Sequence, residues 1–244
     1  DDELVYANSS DASFDSAQVD LRANGFALTS TGHSFNGSGD TYIYVAIRRG
    51  PLATPTSATN VFAMDTRGST GDGAEPAFRS TFPVDFALAK DIDSVTNWTA
   101  KTRLIGKKDL NPNTTSAEQG ANYNLFDYMN GHFARTNTAS DEQSWMWKRA
   151  PSYFDVVAYQ GTGSAGFTFN HNLGVKPEMI WVKNRGASEY WAVYHKDLNG
   201  GTNPSHYYLK LNDTNAEFDY NEIWNDTEPT ATQVTVGQQG VVNS

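Results

Sequence analysis

The chain has 244 residues and carries 28 acidic against 18 basic side chains, which gives a formal net charge of -10. A surface of this sign repels nucleic-acid phosphates and anionic lipid headgroups, so we expect no nucleic-acid partner and no membrane insertion. Cysteine is absent, which excludes disulfides, thiolate metal sites and a cysteine nucleophile. With 38% hydrophobic residues the chain has enough apolar material for a packed core.

Short β-prone stretches alternate apolar and polar residues along the chain, and long stretches of helical periodicity are hard to find. The alternation predicts strands at residues 41–48, 61–65, 84–90, 154–159, 179–183, 191–195, 207–211 and 233–236. Asn-Gly pairs such as Asn199-Gly200 are typical of tight turns, because both residues tolerate positive φ. The sequence therefore predicts an all-β protein arranged as a β-sandwich.

Sequence motifs recur in the same order at intervals of about 100 residues. The motif Asn-x-Ser/Thr-x-Ala begins at Asn8, Asn113 and Asn212. We expect each of these asparagines to form a turn by bonding its own backbone two residues further on. A basic pair followed by proline closes an aromatic-rich strand at residues 48–51 and again at residues 148–151. Proline cannot donate to a sheet ladder, so these segments are natural exits from a sandwich.

A third recurring feature is a strand that ends in lysine and is followed eight residues later by tryptophan, at Lys90 and Trp98 and again at Lys183 and Trp191. Three matches in one order indicate an internal repeat. The repeat divides the chain into the end of a first unit (residues 1–51), a complete unit (residues 52–151) and a unit that lacks its closing strand (residues 152–244).

The repeat register leads us to expect that the chain begins and ends within a repeat. The third unit stops before the strand that residues 41–48 provide in the first copy. A sandwich that lacks a strand has an unpaired edge, which pairs readily with another strand. We expect either further polypeptide at both ends or completion of the open unit by residues 1–51 of another subunit.

Several of these segments resemble a repeated domain of unassigned function that occurs in tail-fibre and other structural proteins of tailed, mostly marine, bacteriophages. The resemblance is carried by FDVVAYQG at residues 154–161, HNLGVKPEMIWVK at 171–183, WAVYH at 191–195 and WNDTEPT at 224–230. It implies tandem, jelly-roll or lectin-like β-sandwich modules on an extracellular virion appendage. It also implies assembly as a homo-oligomer with other virion proteins, and it brings no catalytic residues.

No motif for enzymatic chemistry stands out. The glycine-rich segment at residues 161–166 matches G-x-G-x-x-G, but the residues that follow it predict a strand, whereas a dinucleotide site needs a helix there. The five histidines form no close ligand pair, and we expect no metal and no cofactor. No strand alternates carboxylates as a retaining glycosidase would need, and no G-x-S-x-G segment is present. We therefore predict a non-enzymatic protein, with a glycan depolymerase as a weak alternative.

The aromatic residues are also compatible with a second function, that of a carbohydrate-binding adhesin, because sugars pack on exposed aromatic rings. Trp98 and Trp191 occupy equivalent places in the repeat and are expected in the core. Tyr190 and Trp224 lie next to polar loop residues, and we predict them as the residues that would contact a host-surface glycan.

Overall fold

The computed structural model describes residues 3–4, 14–15, 19–22, 25–29, 36–39, 41–42, 52–67, 76–120, 125–133 and 142–244. These residues form antiparallel strands joined by loops and short helical turns, which confirms the predicted all-β class. No helix in these segments is long and apolar enough to span a membrane.

The strands are short and are numbered in chain order. They are β1 (Glu3–Leu4), β2 (Phe14–Asp15), β3 (Val19–Arg22), β4 (Gly25–Leu28), β5 (Phe62–Thr66), β6 (Phe78–Arg79), β7 (Phe86–Asp91), β8 (Thr99–Thr102), β9 (Lys108–Asp109), β10 (Gln119–Gly120), β11 (Gly131–His132), β12 (Glu142–Trp147), β13 (Phe167–Asn170), β14 (Met179–Val182), β15 (Ala192–His195), β16 (Tyr207–Lys210), β17 (Phe218–Asp219) and β18 (Gln233–Val236). The described residues also include an α-helical turn, α1 (Asn221–Trp224), and 3-10 turns at Ala58–Asn60, Arg103–Ile105, Leu198–Gly201 and Pro204–His206.

The first large sheet has the order β5-β12-β7-β8, with every neighbouring pair antiparallel. Its strands alternate in burial, as at Ala87 and Ala89, which are fully buried on one face of β7. The β6–β11 pair contributes further residues to the core beneath this sheet. That core consists of Phe78, Phe82, Val84, Ala87, Phe126 and Met146.

The second large sheet has the order β14-β15-β16-β17, and β13 pairs with β18 beside it. Ala192, Val193 and Tyr194 are all buried, so β15 is covered on both faces. The core of this part of the protein consists of Phe169, Val182, Ala192, Tyr194, Tyr208, Ile223, Trp224, Val234, Val236, Val241 and Val242.

Most predicted strands are present, with ends shifted by up to two residues. The prediction at residues 154–159 is wrong, since Phe154 makes only an isolated bridge to Ala150. This segment is held by its side chains instead, because Tyr159 stacks on Phe169 with ring centroids 4.1 Å apart. Of the strand predicted at 41–48, residues 41–42 are not in a strand and residues 43–48 lie outside the described segments.

The two lysines of the repeat motif make the same hydrogen bonds. Lys90 Nζ donates to the carbonyls of Asp91 and Ser94 at 2.5 and 2.8 Å. Lys183 Nζ donates to the carbonyls of Asn184 and Ala187 at 2.7 and 2.9 Å. In each case the partners lie one and four residues after the lysine, so the loops after β7 and β14 are fixed in the same way.

The asparagines of the repeat motif also make matching contacts, but not the ones expected. The backbone amide of Trp98 donates to Asn113 Oδ1 at 3.1 Å, and that of Trp191 donates to Asn212 Oδ1 at 3.0 Å. These asparagines therefore tie neighbouring chain segments together, and the expectation that they bond the backbone two residues further on was wrong. The side chain bonds the backbone amide of the distant tryptophan because that amide would otherwise lack a hydrogen-bond partner.

Strand pairing also matches between the two copies of the motif. Ala100 on β8 pairs with Leu110, and Val193 on β15 pairs with Leu209 on β16. Counted from the recurring lysines and asparagines, these are corresponding positions in the two copies of the motif. The hairpin β7–β8 thus corresponds to the hairpin β14–β15.

Trp191 packs against residues that lie far before it in the chain. Its side chain is 5% exposed and forms a buried cluster with Ala100 and Leu110. The indole Nε1 donates to the carbonyl of Asn111 at 3.0 Å. Residues on the two sides of the predicted boundary at residue 151 therefore share one small apolar core.

Candidate functional site

Trp224 is part of the core. It is 2% exposed and meets Tyr194 edge to face, with ring centroids 6.0 Å apart. Because α1 turns Ile223 and Trp224 inward, the indole presents no face on which a sugar could stack. This placement does not fit the predicted ligand-binding role, and we do not retain Trp224 as a ligand residue.

Tyr190 lies half-buried at the protein surface. Its ring stacks on Tyr208 at 5.7 Å, and its hydroxyl donates to the Tyr208 hydroxyl at 3.4 Å. The ammonium group of Lys210 lies 4.7 Å from the centre of the Tyr190 ring. Burial, followed by the hydrogen bond to Tyr208, raises the pKa of Tyr190. Tyr190 is therefore a neutral, well-supported ring over the physiological pH range.

Tyr220, two residues before Glu222, is the exposed aromatic in this region, with 39% of its surface accessible. Its hydroxyl donates to Glu222 Oε2 at 2.8 Å and accepts a hydrogen bond from Gln239 Nε2 at 2.8 Å. Gln238 Nε2 donates to Glu222 Oε1 at 2.9 Å, and Gln239 donates to the other oxygen of the same carboxylate. Four side chains thus form one polar cluster around an aromatic ring.

The hydrogen bonds of this cluster also set its ionisation. Donation from Gln239, then from Tyr220 and Gln238, lowers the pKa of Glu222, so this carboxyl group is charged at neutral pH. The bond to Glu222 raises the pKa of Tyr220. The cluster therefore offers a carboxylate acceptor, two amides and a neutral phenol.

Gly237 explains how the glutamines come to lie beside α1. Its amide donates to the carbonyl of Ile223 at 2.8 Å. A Cβ atom at this position would lie 2.1 Å from the carbonyl oxygen of Glu222, so only glycine allows the two segments to approach so closely. The turn at Gly237 then places Gln238 and Gln239 against Glu222.

The polar cluster and Tyr190 belong to one surface. Tyr208 stacks on Tyr190 and pairs with Phe218 of β17, and Tyr220 follows Phe218 by two residues, so β16 and β17 connect Tyr190 with the polar cluster. We call this surface the tyrosine patch and define it as Tyr190, Tyr208, Lys210, Tyr220, Glu222, Gln238 and Gln239. Only Tyr190 of this set was predicted from the sequence. Local sequence carries little sign of the others, because Tyr220 and the glutamines meet across 18 residues of chain.

The glycine-rich segment at residues 161–166 forms an anchored loop before β13. Asn243, which is buried, accepts hydrogen bonds at Oδ1 from the amides of Thr162 and Gly163 at 2.6 and 3.1 Å. Its Nδ2 donates to the carbonyl of Ser164 at 2.7 Å. The amides that a phosphate would need are thus already used, and a strand follows where a nucleotide site requires a helix.

The described residues offer little for catalysis or metal binding. Among them, no group of three or more His, Cys, Asp or Glu side chains could hold a metal ion. His132 and Ser144 are hydrogen-bonded at 2.9 Å, but both side chains are fully buried. A substrate cannot reach this pair, so it is part of the core.

These features define an all-β protein of short antiparallel strands with a surface patch of tyrosine, glutamate and glutamine. The profile of a family described as a domain of unknown function, DUF7483, matches residues 1–51 and 107–244, and the chain belongs to that family. No curated protein matches the chain, and no solved structure does.

Proposed function

We propose that the chain is a non-enzymatic structural protein of a tailed-bacteriophage virion appendage, a tail fibre or similar, built from tandem β-sandwich units of about 100 residues. The units end at residues 51 and 151. The observation that carries this proposal is the recurrence of the same contacts after Lys90 and after Lys183. A chain of repeated modules is a plain way to build an elongated, rigid assembly.

Two further features support the proposal. Trp191 fills a pocket of the preceding unit, so neighbouring modules are joined by an apolar contact as well as by the chain. The first segment that the DUF7483 profile matches ends at Pro51, the first proposed boundary, whereas the second, residues 107–244, continues across the proposed boundary at residue 151. The assignment to a phage appendage is supported by the sequence resemblance, and assembly as a homo-oligomer on the virion follows from it.

The proposal is tested by locating the protein on native particles. Antibodies raised against residues 152–244 and coupled to gold should label one type of fibre or tail appendage in electron micrographs. Labelling should be lost from particles assembled without this protein. Detection of the protein only in infected-cell lysate, and never on purified particles, would exclude a virion role.

The tyrosine patch favours carbohydrate binding as a second candidate function, in which the same protein attaches to host glycan. An exposed aromatic ring beside carboxylate and amide groups can stack on a sugar and bond its hydroxyls at the same time. Tyr220 provides the ring, and Glu222 and Gln239 provide the polar groups. Tyr190 would extend the aromatic surface, as the sequence predicted.

We expect Tyr220→Ala to weaken binding to any glycan that the wild-type protein recognises by about tenfold, because it removes both a stacking surface and a hydroxyl. A glycan array followed by titration measures this change. Tyr153→Ala is the matched control, since Tyr153 is 41% exposed but lies outside the patch. Equal loss in both variants would place the binding site elsewhere, and no binding by the wild type would exclude the second function.

A further inference from the structure

Aromatic rings hold the ammonium group of Lys210 in the tyrosine patch. Its Nζ lies 4.7 Å from the centre of the Tyr190 ring and 4.6 Å from the centre of the Phe218 ring. Tyr208, two residues before Lys210 on β16, stacks on both of these rings, with centroids 5.7 and 5.3 Å apart. The face of an aromatic ring attracts a cation, so Tyr190 and Phe218 fix the position of the ammonium group.

The N–H donors of this ammonium group are unused within the described part of the chain. Lys210 makes no hydrogen bond and no ion pair there. By contrast, Lys176 pairs with Glu228 at 2.5 Å, and Lys196 pairs with Glu178 at 3.0 Å. Ring faces attract the charge of a half-buried ammonium group but do not replace oxygen acceptors for its three donors. An anionic group of a ligand would supply such acceptors through charge-assisted hydrogen bonds.

The carboxylate of the tyrosine patch lies at its other end. Glu222 already accepts hydrogen bonds from Tyr220 and from two glutamine amides. The backbone amide of Tyr220 donates to the carbonyl of His206 at 2.9 Å, so Tyr220 lies beside His206. Four residues of extended chain separate His206 from Lys210, which corresponds to roughly 13 Å. The patch therefore has a cationic end at Lys210 and a hydrogen-bonding end at Tyr220.

We propose that Lys210 is the anion-binding residue of the tyrosine patch, and that the patch selects glycans that carry a carboxylate or a sulfate group. The anionic group accepts hydrogen bonds from the Lys210 ammonium, while another sugar of the same glycan packs on Tyr220. The net charge of -10 repels acidic polymers in general, so their binding requires a positioned cation of this kind. The inference rests on the proposed carbohydrate-binding function of the patch.

Pairs of glycans that differ only in charge test the selection. Trigalacturonate and its methyl ester test the carboxylate, and immobilised galactose 6-sulfate and galactose test the sulfate. We expect the wild type to bind the charged member of at least one pair about tenfold more tightly or better, because a charge-assisted hydrogen bond is lost with the uncharged member. Selection within one pair only identifies which anionic group is recognised.

Lys210→Met removes the charge and keeps an unbranched side chain over the rings, so we expect it to abolish the preference for the charged glycan. Lys210→Arg keeps the cation and should retain the preference. The matched control is Lys196→Met, which removes the same charge from the surface at the opposite end of β15 from Tyr190. Equal binding of charged and uncharged glycans by the wild type would overturn the proposal. Equal losses in Lys210→Met and Lys196→Met would also overturn it.

A measurement on the lysine itself separates the anion site from the glycan-binding function. The ε-methylene resonance of Lys210 is identified in NMR spectra by its loss in Lys210→Met. Titration with free glucuronate or free galactose 6-sulfate should shift this resonance, whereas galactose should not, and the resonance of Lys196 should stay unchanged. An unchanged Lys210 resonance would refute the anion site. A specific shift without binding of any immobilised glycan would support the anion site and exclude the second candidate function.

Discussion

Replacing Trp191 by alanine should lower the free energy of unfolding by about 3–5 kcal/mol. The substitution removes a buried indole from the cluster with Ala100 and Leu110 and leaves a cavity beside them. It also leaves the carbonyl of Asn111 without the hydrogen bond from Nε1. Chemical denaturation followed by tryptophan fluorescence and by circular dichroism measures the change. If the proposed units are joined by Trp191, the two probes should no longer report a single transition in the variant.

Trp98→Ala is the matched control, because Trp98 occupies the corresponding position in the first copy of the motif. Its ring is partly exposed and packs at a tilt against Trp145, with centroids 5.1 Å apart. We expect this variant to lose about 1–2 kcal/mol, since less apolar surface is returned to water. Equal losses in the two variants would show that the contact of Trp191 with Ala100 and Leu110 adds nothing to stability.

Lowering the pH from 7 to 4 should reduce the free energy of unfolding by about 3 kcal/mol through His132 alone. The imidazole is fully buried between the rings of Phe78 and Phe126, at 5.0 and 5.3 Å. Burial, and secondarily the charge of Lys101, lowers the pKa of His132 to about 3. The unfolded chain takes up a proton below the ordinary pKa of 6.5, while the folded protein does not. The contribution of the neutral His132 to the free energy of unfolding is therefore fully present above pH 6.5 and is lost as the pH falls towards 3.

The effect of His132 is isolated by comparing the wild type with the double variant His132→Phe and Ser144→Ala. This pair of changes keeps an aromatic ring in the stack and leaves no hydroxyl without its partner, because Ser144 is hydrogen-bonded to His132. The stability of the double variant should fall by about 3 kcal/mol less between pH 7 and pH 4. Titration of the His132 imidazole by NMR with a midpoint near 6.5 in the folded protein would contradict the explanation.

The recurring motifs were visible in the sequence because they rest on residue types with special physical properties. Lysine at the end of a strand, tryptophan eight residues later and asparagine after a further turn recur in order, and the structure gives them the same hydrogen bonds in both places. The sequence did not show why asparagine occurs at these positions. Their partners lie 15 and 21 residues away, and a local motif contains no information about an amide on another strand.

The strand predicted at residues 154–159 shows the limit of alternation as evidence. Its apolar residues do pack, as Tyr159 does on Phe169. A strand also needs a ladder partner, however, and the described residues provide only the bridge between Phe154 and Ala150. Periodicity reports which side chains are buried, whereas pairing depends on which backbone lies alongside.

The sequence by itself determined the all-β class, the positions of most strands and the recurrence of the lysine, tryptophan and asparagine motifs, because alternation and turn residues act locally. Only the tertiary structure decided which aromatic rings face solvent. Trp224 and Tyr220 lie four residues apart beside similar polar neighbours, yet one is 2% and the other 39% exposed. The difference arises because α1 directs Trp224 onto Tyr194, while the turn at Gly237 brings Gln239 to the hydroxyl of Tyr220. Burial is set by contacts between distant parts of the chain, and a linear pattern does not contain them.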